Sequence, residues 1–128
     1  MKIKISVILI SLSIVFISVS FINLNIYTGI KKAVVERDRE ITNELQAVLK
    51  DVRENATIEN SEKLMVFSKK VMNLENSFYG GNENLPSDCL LLYGLSSDII
   101  KNISNDEELS KLLIDYENTL DSVFSEIN

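Results

Sequence analysis

The sequence predicts an all-α protein: an N-terminal transmembrane helix followed by an antiparallel up-down helical bundle of three to four helices. Two observations support this prediction. The chain starts with a long, uncharged apolar stretch, and its later segments repeat apolar residues at alternating spacings of three and four. Such spacings place apolar side chains on one face of a helix, and no stretch alternates convincingly at the strand period of two. We therefore predict an anchor over residues 1–30 and a helical-bundle domain over residues 31–128.

The N-terminal segment has the length and composition of a membrane span. After a short basic start it carries no charge until Lys31, and its most apolar part runs from Ile5 to Ile22. Eighteen helical residues extend about 27 Å, close to the ~30 Å hydrocarbon thickness of a bilayer. We predict an uncleaved single-pass anchor in the cell membrane. Because Lys2 and Lys4 favour a cytoplasmic N-terminus, we expect the bundle outside the cytoplasm.

A secretory signal peptide is the alternative for this segment. Signal peptides also have a basic start and an apolar centre, followed by a small-x-small cleavage motif, which Ser18-Val19-Ser20 matches. Their apolar cores usually span about 7–15 residues, which is shorter than the stretch found here. Cleavage near Ser20 would release a soluble helical protein.

The first two bundle segments run from about Lys31 to Glu54 and from about Ser61 to Tyr79. The first continues the anchor as a stalk with a weak point at Thr28-Gly29, and residues 55–58 form a turn. The second ends at Gly80-Gly81, because glycine tolerates the left-handed conformation that stops a helix. We expect Phe67 to lie in the core and Lys69 in solvent. The apolar stripes are Val34, Ile41, Leu45, Val48 and Val52, then Leu64, Phe67, Val71, Leu74 and Phe78.

The third segment runs from about Ser87 to Ile103, after a predicted loop over residues 82–86. Ser87 is a good N-cap, and Asp88 in the first turn suits the positive end of the helix dipole. Additional apolar residues beside its stripe lead us to expect the most buried helix of the bundle. The stripe is Leu92, Leu95, Ile99 and Ile103, and it is widened by Cys89, Leu90, Leu91 and Ile100.

The fourth segment runs from about Asn105 to Ile127. Ser104 followed by Glu107 is a capping-box signature at its start. The connection from the third segment is very short, so it is either a tight turn or a kink in one long helix. Regular stripes of this kind fit a bundle within one chain, and they also fit a coiled-coil dimer. The stripe is Leu109, Leu113, Tyr116, Leu120, Val123 and Ile127.

The composition argues against most enzymatic chemistry. The chain has no histidine, which removes imidazole bases, histidine metal ligands and the Glu-x-x-His pairs of di-iron bundles. Gly80-Gly81 lacks the following lysine and hydroxyl residue of a phosphate-binding loop. Asp106-Glu107-Glu108 lacks the alternating ligands of a calcium loop and suits a helix N-terminus instead. We therefore predict no enzyme activity, no cofactor, and no catalytic, cofactor-binding or metal-binding residues.

The only cysteine, Cys89, lies near a predicted helix start, where a lowered pKa would make a thiol reactive. A lone cysteine in an exported protein also permits an intermolecular disulfide. The third interpretation, which we favour, is a small buried apolar residue beside Leu92.

Charge is distributed unevenly along the chain. Residues 31–70 hold nine basic and eight acidic residues, whereas residues 71–128 hold eleven acidic residues against Lys101 and Lys111. The acidic half would repel a phosphate backbone, so we expect no nucleic-acid partner. It would also be repelled by anionic lipid headgroups. A solvated acidic face or a basic protein partner is compatible with this charge.

These features predict a membrane-anchored, non-catalytic helical interaction or regulatory module. Besides the lipid bilayer, its partner would be another protein or a second copy of the chain, bound through the apolar stripes or the acidic half. Asp115, Glu117 and Asp121 are the acidic residues that we select for a binding test. The alternative is a secreted protein, cleaved near Ser20, that acts as a ligand carrier or effector. The usage of amino acids is typical of an AT-rich bacterial genome.

Overall fold

The computed structural model describes residues 2–74, 76–81 and 83–127. Within these ranges the chain forms four α-helices and one 3₁₀ helix and contains no strand, which confirms the predicted all-α fold. The predictions that include Met1, Glu75, Asn82 and Asn128 fall partly outside the described residues. The elements are α1 (Lys2–Glu54), α2 (Ile58–Val71), the 3₁₀ helix (Asn76–Tyr79), α3 (Asn84–Lys101) and α4 (Asp106–Ile127).

The chain divides into two compact units, Met1–Val34 and Val35–Asn128. In the first unit the large apolar side chains, from Ile3 to Ile30, are at least half exposed. Of the helices that the structure describes, α1 is the one long and apolar enough to cross a membrane, a test that a signal sequence also passes. It continues without a break through Thr28-Gly29, where the Thr28 hydroxyl donates to the carbonyl of Leu24 at 2.9 Å.

The second unit is a helical bundle with one apolar core, formed by the later part of α1 together with α2, α3 and α4. Every residue of the predicted α4 stripe is buried, and so are Leu45, Val48 and Val52 of the predicted α1 stripe. Full burial of one such aliphatic side chain contributes roughly 1.5–3 kcal/mol. The apolar stripes therefore account for the bundle, as the sequence predicts.

The turn after α1 lies where the sequence predicts it. α1 ends at Glu54, and the side chain of the N-cap residue Thr57 accepts a hydrogen bond from the Asn60 amide at 3.1 Å. This contact satisfies one of the backbone N–H groups that a helix start leaves without a partner. α2 consequently begins at Ile58, three residues before the predicted start at Ser61.

α2 is shorter than predicted: it ends at Val71, whereas the sequence analysis extended it to Tyr79. Its last turn tightens into i to i+3 hydrogen bonds, from the Asn73 amide to Lys70 (3.3 Å) and from the Leu74 amide to Val71 (3.1 Å). Asparagine is a weak helix former because its side chain competes for backbone groups. Gly80 and Gly81 have positive φ, as predicted, but they follow the 3₁₀ helix instead of an α-helix.

α3 starts at Asn84, so Ser87 is not its N-cap as predicted; the N-cap is Glu83, whose side chain makes no capping bond. Pro86 is accommodated in the first turn because a proline there removes no intrahelical hydrogen bond. The expectation that α3 is the most buried helix is also wrong at Leu90 and Leu91, which are 59% and 49% exposed. α3 packs against α2 and α4, and these two leucines lie on its open outer side.

A tight turn, and not a kink, separates α3 from α4. The Asn105 amide donates to the Asn102 carbonyl at 3.0 Å, and the Asn105 side chain accepts from the Glu108 amide at 3.3 Å. Asn105 therefore caps α4, in place of the predicted Ser104. Because Asp88 near the start of α3 contacts Glu126 near the end of α4, the two helices run antiparallel.

Candidate functional site

α4 is the most acidic of the helices that the structure describes. The helix carries seven acidic residues and a single basic one, Lys111. Asp115 and Asp121 are exposed, and Ile114, which directly precedes Asp115, is 55% exposed although it is a large apolar residue. We call Ile114, Asp115 and Asp121 the α4 outer face. It combines negative charge with one apolar anchor, a composition that complements a basic protein segment.

Glu117, the third acidic residue selected from the sequence, does not belong to this outer face. It forms an ion pair with Arg53, which connects the end of α1 to the middle of α4. Both side chains are only partly exposed, so the pair contributes about 1 kcal/mol or less to stability. A charge reversal at Glu117 would disturb the α1–α4 contact and would confuse a binding test.

A small cleft lies beside this ion pair, between α1 and α4. Its volume is about 180 Å³. Charges of both signs line it: Lys50 and Arg53 from α1, and from α4 Glu117 and Asp121, which lies where the α4 outer face borders the cleft. Because Arg53 and Glu117 neutralise each other there, the cleft has no excess charge that would select a ligand.

Near the C-terminal end of α4, three carboxyl groups lie around a buried thiol. The Cys89 thiol is within electrostatic reach of Asp38 on α1, Asp88 on α3 and Glu126 on α4. We call these three acids, together with Cys89 and Tyr79, the carboxyl cluster. The antiparallel arrangement brings them together although they lie far apart in sequence.

Asp38 is fully buried, which is unusual for a carboxylate that lacks a strong cationic partner. The Tyr79 hydroxyl donates a hydrogen bond to Asp38 Oδ2 at 2.5 Å, and Arg37, itself largely exposed, approaches Oδ1 at 3.4 Å. Burial and the adjacent Asp38 carboxylate raise the pKa of Tyr79 well above its ordinary range. The phenol therefore stays protonated and keeps donating to Asp38.

Cys89 is buried, as the favoured interpretation of the sequence predicts. Burial raises the pKa of its thiol to about 12, and the charges of Glu126, Asp88 and Asp38 act in the same direction. A nucleophilic cysteine needs the opposite environment, with neighbouring cations that stabilise the thiolate. The side chain is therefore a buried thiol and packs as a small apolar residue.

Glu126 has a carboxyl oxygen that lacks a hydrogen-bond donor. Its Oε2 atom is shielded from solvent and has no hydrogen-bond partner among the described residues. Burial, followed by the hydrogen bond and charge of Asp88, raises the pKa of Glu126 to about 7. Despite these three acids and a thiol, the part of the chain that the structure describes contains no group of residues that could hold a metal ion.

Sequence reasoning missed Asp38, Tyr79 and Glu126, and one signal could have found the first of them. The predicted α1 stripe jumps seven residues from Val34 to Ile41, whereas its other spacings are three or four. Asp38 lies in that gap, at the position where the stripe requires a core residue. A carboxylate at a core position indicates a polar partner from another element, which here is Tyr79.

Comparison of this chain with protein-family models, with curated proteins and with solved structures finds no match to any of the three.

Proposed function

We propose that the protein is a membrane-anchored, non-catalytic interaction module that binds a basic protein segment on the α4 outer face. The observation that supports this proposal is the combination of exposed Ile114 with Asp115 and Asp121 on one helix. Opposite charges steer two proteins together, and an apolar side chain at the centre of a contact supplies much of its affinity. The bundle holds α4 in place through its buried side, so the outer side is free to bind.

The anchor is part of the same proposal, with the bundle outside the cytoplasm. α1 is helical through Ser18-Val19-Ser20, the candidate cleavage motif. Proteases cleave most readily at exposed, irregular segments, so a continuous helix supports retention of the segment. Attachment to the membrane would confine the α4 outer face to partners in the same membrane or in the adjacent compartment.

Retention of the anchor predicts that the intact chain stays in the membrane fraction and is released only by detergent. Mass spectrometry of the N-terminus of the expressed protein checks this prediction. We expect a peptide that includes Lys2 and Lys4. A chain that begins near Phe21 and is recovered in the aqueous fraction would show that the secreted alternative is correct.

The binding surface is tested by pull-down from detergent-solubilised membranes with the full-length protein. We expect the double charge reversal Asp115→Lys with Asp121→Lys to reduce recovery of the partner at least tenfold, because it replaces attraction by repulsion at a basic surface. Ile114→Ser should reduce recovery more modestly, since it removes the apolar anchor and leaves the charges unchanged.

The matched control is Glu59→Lys with Glu62→Lys on α2. Both residues are exposed, and the net charge of the protein changes by the same amount as in the α4 variant. This control should recover the partner as the wild-type protein does. Equal loss in the two double variants would mean that overall charge, and not the α4 outer face, determines binding. Recovery of no partner at all would argue against an interaction module.

A further inference from the structure

Asp88 and Glu126 can form a hydrogen bond with each other only if one of the two carboxyl groups carries a proton. Asp88 acts on Glu126 across the α3–α4 interface, both through a side-chain hydrogen bond and through its charge. Ionised carboxylates only accept hydrogen bonds, so two of them in contact repel each other and make no bond. Glu126 Oε2 is buried and finds no donor in the described part of the chain. One shared proton would supply the missing donor and remove the repulsion.

Among the described residues no cation acts on Glu126 or on the Cys89 thiol, and Arg37 and Arg39 of α1 act on Tyr79 instead. α1 contributes Asp38, the 3₁₀ helix contributes Tyr79, and α3 contributes the Cys89 thiol. Tyr79 already donates to Asp38, and Arg37 also pairs with Asp38. α4 has no basic residue in its last turn. A second negative charge in the carboxyl cluster is therefore left unbalanced.

Helix dipoles determine which carboxyl group holds the proton. Glu126 lies in the last turn of α4, where the partial charge of the helix end is negative, whereas Asp88 lies in the second turn of α3, closer to a positive end. The negative end disfavours a carboxylate and the positive end favours one. The proton consequently resides on Glu126, in agreement with the pKa of about 7 for that group.

We propose that Asp88 and Glu126 form a pH-sensitive latch, which holds the last turn of α4 against the start of α3 when it is protonated and releases that turn when the proton is lost. The folded chain holds this proton more tightly than the unfolded chain does. Stabilisation by the latch is therefore complete below the ordinary Glu pKa of 4.5, declines as pH rises, and is lost above about 7.

Few other groups in the chain titrate in the pH range where Glu126 loses its proton. Ordinary carboxyl groups titrate near pH 4 and lysines above pH 10, and histidine, which normally titrates between them, is absent. The thiol of Cys89, with its pKa of about 12, also stays protonated. Between about pH 5.5 and 8.5, the α-amino group is the other ordinary titrating group, and every variant below retains it.

The test is thermal unfolding of the full-length protein in an uncharged detergent, followed by circular dichroism from about pH 5.5 to 8.5. We expect the melting temperature of the wild-type bundle to fall by roughly 5 °C or more across this range. Glu126→Gln should abolish this decrease, because its amide donates to Asp88 at every pH. Glu62→Gln, which changes an exposed carboxyl group on α2, should melt like the wild-type protein throughout.

A second variant makes the test independent of how well Glu126→Gln folds. Asp88→Asn gives Glu126 a permanent donor and should flatten the pH dependence equally well. If the wild-type melting temperature is constant over this range, or if Asp88→Asn and Glu126→Gln both retain the wild-type slope, then the latch does not exist.

Discussion

Leu64→Asp is expected to unfold the helical bundle at room temperature. Leu64 is completely buried on α2, so the substitution removes a core side chain and places an unpaired charge in its position. Loss of the leucine alone costs about 2–5 kcal/mol, and an uncompensated buried charge adds several more. The sum approaches or exceeds the ~5–15 kcal/mol that stabilises a typical domain.

Two neighbours on α2 provide a graded comparison. Phe67 is only partly buried, and Lys70 Nζ lies 4.7 Å from the centre of its ring. Phe67→Asp therefore reaches solvent and a nearby cation, and it should cost less than Leu64→Asp. Phe67 packs against the core, as predicted, but its side chain is only partly buried. Lys69 is exposed as predicted, and Lys69→Asp should change stability by about 0.5 kcal/mol or less.

Circular dichroism of the full-length protein in detergent checks this order. Residues 2–34 should retain their helical signal in every variant, so loss of the bundle appears as a partial decrease in helicity. We expect that decrease at 25 °C for Leu64→Asp and an intact signal for Lys69→Asp. If Leu64→Asp and Phe67→Asp melted at the same temperature, the assignment of Leu64 to the centre of the core would be incorrect.

Local patterns determine most of this fold, which is why the sequence predicts it well. The stripe of α4 is regular from Leu109 to Ile127, and all of its predicted residues are buried. The end of α2 is determined by a contact with another helix and not by its local pattern, because the chain must turn at Asn73 to direct Tyr79 towards α1. At Leu90 and Leu91 the sequence pattern predicts burial that does not occur. A helix that packs on two neighbours leaves apolar residues exposed, and only the assembled bundle reveals which ones.

The candidate sites were harder to predict because their residues meet only after folding. Glu117 is indistinguishable from Asp115 and Asp121 in sequence, and it differs only because Arg53 of α1 reaches it. In the same way, nothing near Glu126 in sequence indicates that Asp88 will lie against it. Composition locates the acidic half of the chain, but pairing across helices decides which acids stay exposed.

Tyr79→Phe, which removes a single oxygen atom, is expected to destabilise the bundle strongly. It removes the hydroxyl that donates to fully buried Asp38, and it leaves Arg37, at 3.4 Å and largely exposed, as the remaining described partner of the side chain. Loss of a hydrogen bond to a buried charged group costs about 3 kcal/mol. For a bundle of this size that corresponds to a decrease of roughly 10–20 °C in melting temperature.

A double-mutant cycle separates this interaction from the loss of packing. Asp38→Leu alone should also destabilise, because it leaves the Tyr79 hydroxyl without its acceptor. Asp38→Leu combined with Tyr79→Phe removes both polar groups and should recover most of the stability, since an apolar pair of similar volume has no unsatisfied group. The cycle should yield a coupling of about 1–3 kcal/mol from thermal or denaturant unfolding. Additive losses in the double variant would show that Asp38 and Tyr79 are stabilised independently, and that the carboxyl at the gap in the α1 stripe is held by some other group.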